Sequence, residues 1–230
     1  MVVRKTIFKG QKVRCNICGN NFSRFLSHKL PYRRNARCPY CHSLEADRVL
    51  WFFLSNEVLG KKNKKRFLYI EPHAPILNKL EQAKIHTDTE KRITFTNRLL
   101  NRNNEMQTGG TYDVIIFSHQ LQYIGNEDLV IAELKRLLRT GGTILLQTIV
   151  NPNMDRAYEN IETAEDRDRL KNFYQPGIKS IYGINLSKQL TKAGFNVEVV
   201  DFAQQLGESA IEYYGLGNSS REIIYKCKKP

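Results

Sequence analysis

The sequence of 230 residues lacks any long apolar segment. No stretch approaches the roughly 18 consecutive apolar residues that a membrane-spanning helix requires. The first residues, MVVRKTIFKGQKVRC, also lack the apolar core of a secretion signal. We therefore expect a soluble, cytoplasmic protein with no membrane span.

Acidic residues are scarce at the start of the chain. Residues 1–66 contain 16 Lys and Arg but only 3 Asp and Glu, so this segment carries the whole formal net charge of +13. Residues 67–230 contain 20 basic and 20 acidic residues. A basic module ahead of a neutral one predicts an anionic partner, which could be an anionic substrate, a nucleic acid or a glycan. The oligomeric state is left open.

Cysteine is also sparse, and four of the five cysteines form two C-x-x-C pairs. Thiolates at this spacing predict one structural Zn²⁺ in a small zinc ribbon, and a reducing compartment. Four thiolates complete a tetrahedron, so the metal is expected to stabilise the ribbon rather than to catalyse. His28 and His42 are alternative ligands. The predicted metal ligands are Cys15, Cys18, Cys38 and Cys41.

Aromatic and basic residues alternate between the two cysteine pairs. Two interpretations stay open: a surface that binds nucleic acid or phosphate, or a small aromatic core with solvated cations around it. The residues concerned are Phe22, Phe25 and Tyr32 with Arg24, Lys29, Arg33, Arg34 and Arg37.

A helix is predicted from Ser43, as its cap, to Leu59, with Gly60 ending it. It connects the ribbon to the rest of the chain. We therefore divide the chain into residues 1–60, the ribbon and connecting helix, and residues 61–230, an α/β domain.

Residues 111–148 give the clearest pattern in the α/β part. Val114–Phe117 form a continuous apolar run, as expected of a strand covered on both faces in a parallel sheet. Apolar positions between Glu127 and Arg139 recur at helical spacing, Gly141 and Gly142 are expected to end that helix, and 143–150 form a second buried strand. The unit is strand, crossover helix, parallel strand.

This unit closely resembles the second half of class I S-adenosylmethionine-dependent methyltransferases. The resemblance rests on Asp113 before the strand, Ser118-His119 at its end, the Glu-Leu-Lys-Arg-Leu-Leu helix and Gly-Gly. The run from Cys38 through Ser-Leu-Glu to Arg48, with the following Leu-Trp, resembles a bacterial branch of that family that carries a zinc ribbon first. The resemblance implies an α/β, Rossmann-like domain whose sheet is mostly parallel with one reversed strand, S-adenosylmethionine as cofactor, and transfer of its methyl group to oxygen or nitrogen.

The turn after the first strand departs from the common pattern. Residues 66–70 are predicted as this strand, and the turn that should cradle the cofactor reads Glu71-Pro72-His73-Ala-Pro75, without glycine. Most class I enzymes have glycine here, because a backbone without side chains approaches the ligand closely. Glu71, Pro72 and His73 are predicted cofactor contacts; alternatively, the prolines only direct the next helix.

The resemblance places further cofactor residues along the sheet. Residues 85–88 are predicted as the second strand, with Asp88 at its end accepting hydrogen bonds from the ribose hydroxyls. Ser118 is expected beside the cofactor at the end of the organising strand. A third strand is predicted at 92–96, with Thr94 or Asn97 at the adenine.

Catalysis is assigned to the end of the organising strand. His119 is the predicted base, with Tyr123 behind it. His119 could instead only bond a neighbouring backbone group. In the segment after Val150 the family's substrate contacts resemble Phe173, Gln175-Pro176 and Tyr182-Gly183, but its acid–histidine pair is replaced by Gly177-Ile178. The rival prediction is a catalytically degenerate protein that binds nucleic acid or a protein partner through the basic ribbon.

Overall fold

The structure is a computed structural model that describes residues 7–29, 32–60, 65–100, 109–151, 153–155, 157–159, 168, 176–217 and 222–230. The predicted contacts Phe173 and Gln175 lie outside these residues. In the described part, no helix has the length and apolarity needed to cross a membrane.

The N-terminal module consists of two short antiparallel hairpins. The first pairs β1 (Val13–Arg14) with β2 (Asn21–Phe22), and the second pairs β3 (Leu26–Lys29) with β4 (Tyr32–Arg37). One cysteine pair follows β1 and the other follows β4. Helix α1 (Glu45–Phe53) and a π-helical turn (Leu54–Val58) then lead to the α/β part.

The strands and helices of the α/β part alternate along the chain. The strands are β5 (Phe67–Ile70), β6 (Thr87–Glu90), β7 (Tyr112–Ser118), β8 (Leu138–Gln147), the short pair β9 (Tyr158–Glu159) and β10 (Ser180–Ile181), β11 (Asn196–Val200) and β12 (Ile224–Lys228). The helices are α2 (Ala74–Gln82), α3 (Arg92–Leu100), α4 (Glu127–Leu137), α5 (Leu186–Lys192), α6 (Phe202–Leu206) and α7 (Glu208–Tyr214).

The central sheet has the order β6-β5-β7-β8-β12-β11. Neighbours among β6, β5, β7 and β8 are parallel, whereas β12 is antiparallel to both β8 and β11. The prediction of a Rossmann-like, mostly parallel sheet with one reversed strand, preceded by a small cysteine-bearing module, is confirmed.

Alternate side chains of the strands enter two cores. Leu68 and Ile115 face the core built with α4 and α5, while Phe67 and Val114 face the other side. That second core continues without a break into the ribbon, since it also contains Phe22, Phe25 and residues of α1. The basic module is therefore packed onto one face of the sheet.

Arg48 of α1 is fully buried at this junction. Its guanidinium donates hydrogen bonds to the carbonyl oxygens of Ala36 (2.8 Å), Ser43 (2.7 Å) and Gly215 (2.5 Å), and lies 4.3 Å from the centre of the Phe25 ring. Arginine suits this position because its planar group has five donors and stacks on aromatic faces. The residue thus ties β4, the start of α1 and the end of α7 together.

Three local predictions are wrong. Residues 92–96 form the first part of α3 rather than a third strand. Helix α4 ends at Leu137, and Gly141, with φ 74°, lies inside β8, where the pairing with β7 shifts register. Leu44, not Ser43, precedes α1, because Asp47 accepts the Leu44 N–H at 2.7 Å.

The fifth cysteine, Cys227, is buried in β12 as predicted, and burial raises its pKa to about 12.

Candidate functional site

The four predicted zinc ligands come together at one point of the ribbon. The sulfur atoms of Cys15, Cys18, Cys38 and Cys41 all lie within 4.8 Å of one another. The Cys15–Cys41 and Cys18–Cys38 sulfur distances are 3.6 and 3.7 Å. Zinc–sulfur bonds of about 2.3 Å in a tetrahedron place the sulfurs about 3.8 Å apart, so the spacing fits this metal.

The backbone prepares both cysteine pairs in the same way. After each pair a residue with left-handed φ, Gly19 or His42, donates its N–H to the carbonyl of the first cysteine of that pair. The Ser43 hydroxyl lies 3.3 Å from the Cys15 sulfur and 3.2 Å from the Cys41 sulfur. Ser43 therefore faces the cysteine cluster instead of capping α1. His42 forms part of the turn that follows the second cysteine pair.

Crowding of the thiols moves their pKa values in opposite directions. Hydrogen bonds from Cys18, Cys38 and Cys41 hold the pKa of Cys15 far below its ordinary value, whereas the hydrogen bond to Cys15 raises the pKa of Cys38. One thiolate is stabilised by its neighbours, but the last thiol to ionise faces negative charge. A divalent cation removes this conflict, because it stabilises all four thiolates at once.

A cavity of about 300 Å³ lies at the carboxyl-terminal edge of the sheet. The turn after β5 and the residues that end β7 line one side of it. Side chains of the β3–β4 hairpin and of α1 line the other side, and Glu222, just before β12, completes the wall. The cavity thus lies between the ribbon and the sheet, where open α/β sheets bind ligands.

His73 is held in this cavity by a carboxylate from α1. Its Nδ1 lies 2.6 Å from Oδ2 of Asp47, whose side chain is 8% exposed. Burial lowers the pKa of His73, but the hydrogen bond and charge of Asp47 outweigh burial, so the pKa is raised. The imidazole is therefore more cationic near neutral pH than a free histidine.

His119 stands on the other side of the cavity, directly after β7. Its imidazole Nε2 lies 3.4 Å from Oε2 of buried Glu222. Its backbone N–H donates to the backbone carbonyl of Gln147 at 2.7 Å. The φ of His119 is 51°, a left-handed conformation that turns the chain at the strand end. The Ser118 hydroxyl donates to Oε1 of Gln147 at 2.8 Å.

The turn after β5 keeps a glycine-like backbone without a glycine. Glu71 has φ 50°, and its carboxylate accepts the Arg92 N–H at 2.7 Å at the start of α3. Pro72 and His73 follow in the cavity wall. The left-handed conformation that glycine usually provides at this turn is therefore present at Glu71. The side chain of Glu71 is held by the start of α3.

The structure brings Glu71, Pro72, His73, Ser118 and His119 to one cavity. Two other predicted residues lie outside its lining. These are Asp88 and Tyr123.

Asp88 is only the second residue of β6, where Arg66 and Tyr112 each donate a hydrogen bond to its Oδ2 at 3.0 Å. The predicted strand was placed two residues too early. Glu90 ends β6 beside Ile70, and its carbonyl accepts the Glu71 N–H.

Tyr123 lies in a 3-10 turn (Leu121–Tyr123), with the Arg92 guanidinium 4.6 Å from its ring centre. Burial raises its pKa, although the charge of Arg92 acts in the opposite direction.

Sequence reasoning missed the carboxylates of this site. Asp47 and Glu222 are 6% and 5% exposed, yet nothing in their local sequence marks them as cavity residues. They arrive through the packing of α1 and β12. Glu90 could have been predicted from the sequence, because parallel pairing with the first strand places it beside Ile70 and makes it the acid at the end of β6.

No protein-family model matches the sequence, and no curated protein matches it. Solved structures do. A chain of the complex between the Haloferax volcanii Trm112 methyltransferase activator and its candidate methyltransferase has a TM-score of 0.51 at 11% identity, covering 79% of this chain and 88% of that one.

Two further solved structures have lower scores. An S-adenosylmethionine-dependent methyltransferase from Mesorhizobium loti gives 0.46 at 13% identity, covering 78% and 98%. Phosphoethanolamine N-methyltransferase 2 of Haemonchus contortus, in complex with S-adenosylmethionine, gives 0.45 at 12%, covering 80% and 52%. The chain has the fold of class I S-adenosylmethionine-dependent methyltransferases.

Proposed function

We propose that the protein is an S-adenosylmethionine-dependent methyltransferase. The observation that carries this proposal is the cavity at the carboxyl edge, between the ends of β5 and β7, flanked by the buried carboxylates Asp47 and Glu222. Asp47 is already paired with His73, so Glu222 is the buried carboxylate of the cavity that favours a cationic ligand. When bound, S-adenosylmethionine supplies a sulfonium whose methyl group is open to in-line attack by a nucleophile.

The residues of the cavity suit the groups of this cofactor. The left-handed φ of Glu71 gives the backbone course that glycine usually provides at this turn. Behind the cavity wall, the buried Gln147 accepts from Ser118, and its Nε2 finds no hydrogen-bond partner within the described chain. An orphaned donor at this edge is costly unless a ligand or water satisfies it.

We assign the cofactor contacts as follows. His73, made cationic by Asp47, would face the carboxylate of the methionine part, with Pro72 and the Glu71 backbone beside it. Ser118 would contact the cofactor below the transferred methyl. Glu90 takes the ribose role that we predicted for Asp88, because it is the acid that ends β6.

His119 is the proposed base for an oxygen or nitrogen acceptor. Glu222 would accept a hydrogen bond from Nε2–H of His119, so Nδ1 remains to take a proton from the acceptor. Tyr123 lies outside the cavity lining and would support the site indirectly, through its cation–π contact with Arg92. Alignment and exclusion of water contribute the remainder, since positioning alone can supply about 7–11 kcal/mol in favourable cases.

We further propose one structural Zn²⁺ at the cysteine cluster and an anionic acceptor or partner at the basic ribbon. The solved complex with an activator protein shows that a chain of this fold is found with a protein partner. The ribbon, packed on the sheet face here, is a part of this chain that could make such a contact.

One observation favours the alternative, a catalytically degenerate binding protein. The backbone N–H of Arg92 donates to the Glu71 carboxylate. Its guanidinium donates to the amide oxygen of Gln120 at 3.0 Å. Glu71 and Gln120 line the cavity, while Glu90 does not. Arg92 therefore bridges two residues of the cavity wall, and the acid proposed for the ribose lies outside that wall.

Calorimetric titration with S-adenosylmethionine and its demethylated product tests the proposal. We expect binding of both, and Glu90→Gln should weaken it by about 1–3 kcal/mol because ribose hydroxyls lose a charged acceptor. Asp88→Asn is the matched control and should leave affinity unchanged. Absence of binding in zinc-loaded, folded protein would replace the enzyme with the degenerate alternative.

A further inference from the structure

The three aromatic residues between the cysteine pairs have different positions. Phe22 and Phe25 are each 1% exposed and form the ribbon core, whereas Tyr32 is 65% exposed. The sequence left open an aromatic core or a binding surface. Phe22 and Phe25 form the core, and Tyr32 lies on the surface. Only Tyr32, of these three, offers a ring to a partner.

The β3–β4 hairpin has two different faces. His28 pairs with Arg33, and both side chains line the cavity, where Arg33 makes a two-pronged ion pair with Glu45 at 2.9 and 3.1 Å. Lys29 pairs with Tyr32 on the opposite face. We call the exposed side chains Lys29, Tyr32 and Arg34 the outer face of the hairpin.

Residues 7–56 offer no exposed acid to balance the outer face. The acidic residues of positions 7–56 are Glu45 and Asp47, and both are buried and engaged, with Arg33 and with His73. Further exposed cations of the same module are Lys9, Lys12, Arg14 and Arg24. The excess of basic residues in the sequence is therefore a surface property, because burial removes the acids that could balance it.

An exposed aromatic ring between two cations matches one class of polyanion best. Successive bases of a single strand stack on aromatic side chains, while neighbouring cations follow the phosphates. In a duplex the bases are stacked on each other, and a sulfated glycan offers charge without bases. The arrangement therefore favours a single strand over either of these.

We propose that the outer face of the hairpin binds single-stranded nucleic acid, with Tyr32 stacked on a base and Lys29 and Arg34 at the flanking phosphates. The reverse side of the same hairpin lines the cavity, so the strand and the cavity lie on opposite faces of one hairpin. That the strand also carries the methyl acceptor rests on the proposed function. Binding itself does not depend on it.

Fluorescence anisotropy of zinc-loaded, full-length protein with a labelled 12-nucleotide single-stranded RNA tests the proposal. Tyr32→Ala should weaken binding roughly 5- to 100-fold, while Tyr32→Phe keeps the ring and should stay within about twofold. The double variant Lys29→Ala/Arg34→Ala should reduce the slope of log affinity against log salt by about 1.4, or about 0.7 for each phosphate that the protein no longer neutralises.

The control removes the same charge elsewhere. Lys188 and Lys192 are exposed on α5, which packs on the other face of the sheet, and their double alanine variant should bind as the unchanged protein does. Equal affinity of Tyr32→Ala and unchanged protein would overturn the proposal, as would tighter binding of heparin or duplex RNA than of the single strand. S-adenosylmethionine titration of the same samples reports separately on the proposed function.

Discussion

Asp47 serves two neighbours with one oxygen. Its Oδ2 accepts the Leu44 N–H at the start of α1 and the Nδ1–H of His73 in the cavity. The carboxylate thus fixes a helix end and an imidazole together. At the scale of single residues, this is the link between the ribbon side of the molecule and the turn after β5.

The His73–Asp47 pair makes stability depend on pH. Because the pKa of His73 is raised on folding, its stabilisation is complete below the unfolded pKa of about 6.5 and is lost as pH rises through the folded pKa. We expect the free energy of unfolding of the unchanged protein to exceed that of Asp47→Asn by more at pH 6 than at pH 9. Denaturant titrations at the two pH values measure this difference.

His86→Gln is the control for this prediction. His86 also lies near a carboxylate, 3.5 Å from Asp88, but its side chain is 68% exposed. It should change the free energy of unfolding little at either pH. A difference between unchanged protein and Asp47→Asn that stays constant from pH 6 to pH 9 would show that His73 is not the titrating partner.

At the element scale, α3 shows why the third predicted strand failed. Residues 92–96 alternate polar and apolar side chains, a pattern typical of strands. In the structure Phe95 is buried and Ile93 is 63% exposed, and Leu99 follows Phe95 at helical spacing. The Glu71 carboxylate satisfies the Arg92 N–H at the helix start. This contact, from 21 residues away, stabilises the helix start and cannot be read from residues 92–96 themselves.

The end of α7 offers a test of close packing. Gly215 has φ 59°, and a Cβ built there would lie 2.5 Å from the Phe25 ring and 3.2 Å from Arg48. We expect Gly215→Ala to destabilise the protein by about 2–4 kcal/mol, because overpacking adds to left-handed strain. Thermal and urea unfolding measure the loss.

Gly141→Ala separates strain from packing. Gly141 has φ 74°, but no atom of the described chain lies within 4 Å of the position that an added Cβ would take. Only the backbone cost of about 1–2 kcal/mol therefore applies to this variant. Equal losses for the two variants would mean that the Phe25 ring moves aside freely and that the junction is loosely packed.

For the whole molecule, the sequence predicted the fold better than the site. Buried apolar runs such as Val114–Phe117 indicate parallel strands directly, and β7 confirms them. The paired cysteines likewise required only local spacing. The cavity, however, depends on where α1 and the hairpin pack on the sheet, and residues such as Asp47 and Glu222 meet only through that long-range packing. No local pattern encodes such a meeting.

Removal of zinc should affect the entire chain. Because the ribbon core continues into the sheet core, we expect chelator-treated protein to unfold in one transition at a midpoint about 10–20 °C lower, which corresponds to roughly 5 kcal/mol. Differential scanning calorimetry with elemental analysis measures both quantities. We expect one zinc per chain.

Cysteine variants provide the control for zinc. Cys18→Ser should lose the metal, whereas Cys227→Ala, buried in β12 away from the cluster, should retain one zinc per chain. A midpoint that the chelator leaves unchanged, or a separate low-temperature transition of the ribbon, would contradict the coupling between the two cores.

The buried Arg48 also bears on the order in which the chain folds. Its guanidinium requires the carbonyl of Gly215, which lies 167 residues later in the sequence. At synthesis rates of about 5–20 residues per second, this carbonyl leaves the ribosome roughly 8–30 s after Arg48 does. The hairpins and the cysteine cluster involve near neighbours, so all their residues are synthesised early. Their attachment to the sheet through Arg48 must wait for Gly215, so the ribbon reaches its final place only after most of the α/β part has been synthesised.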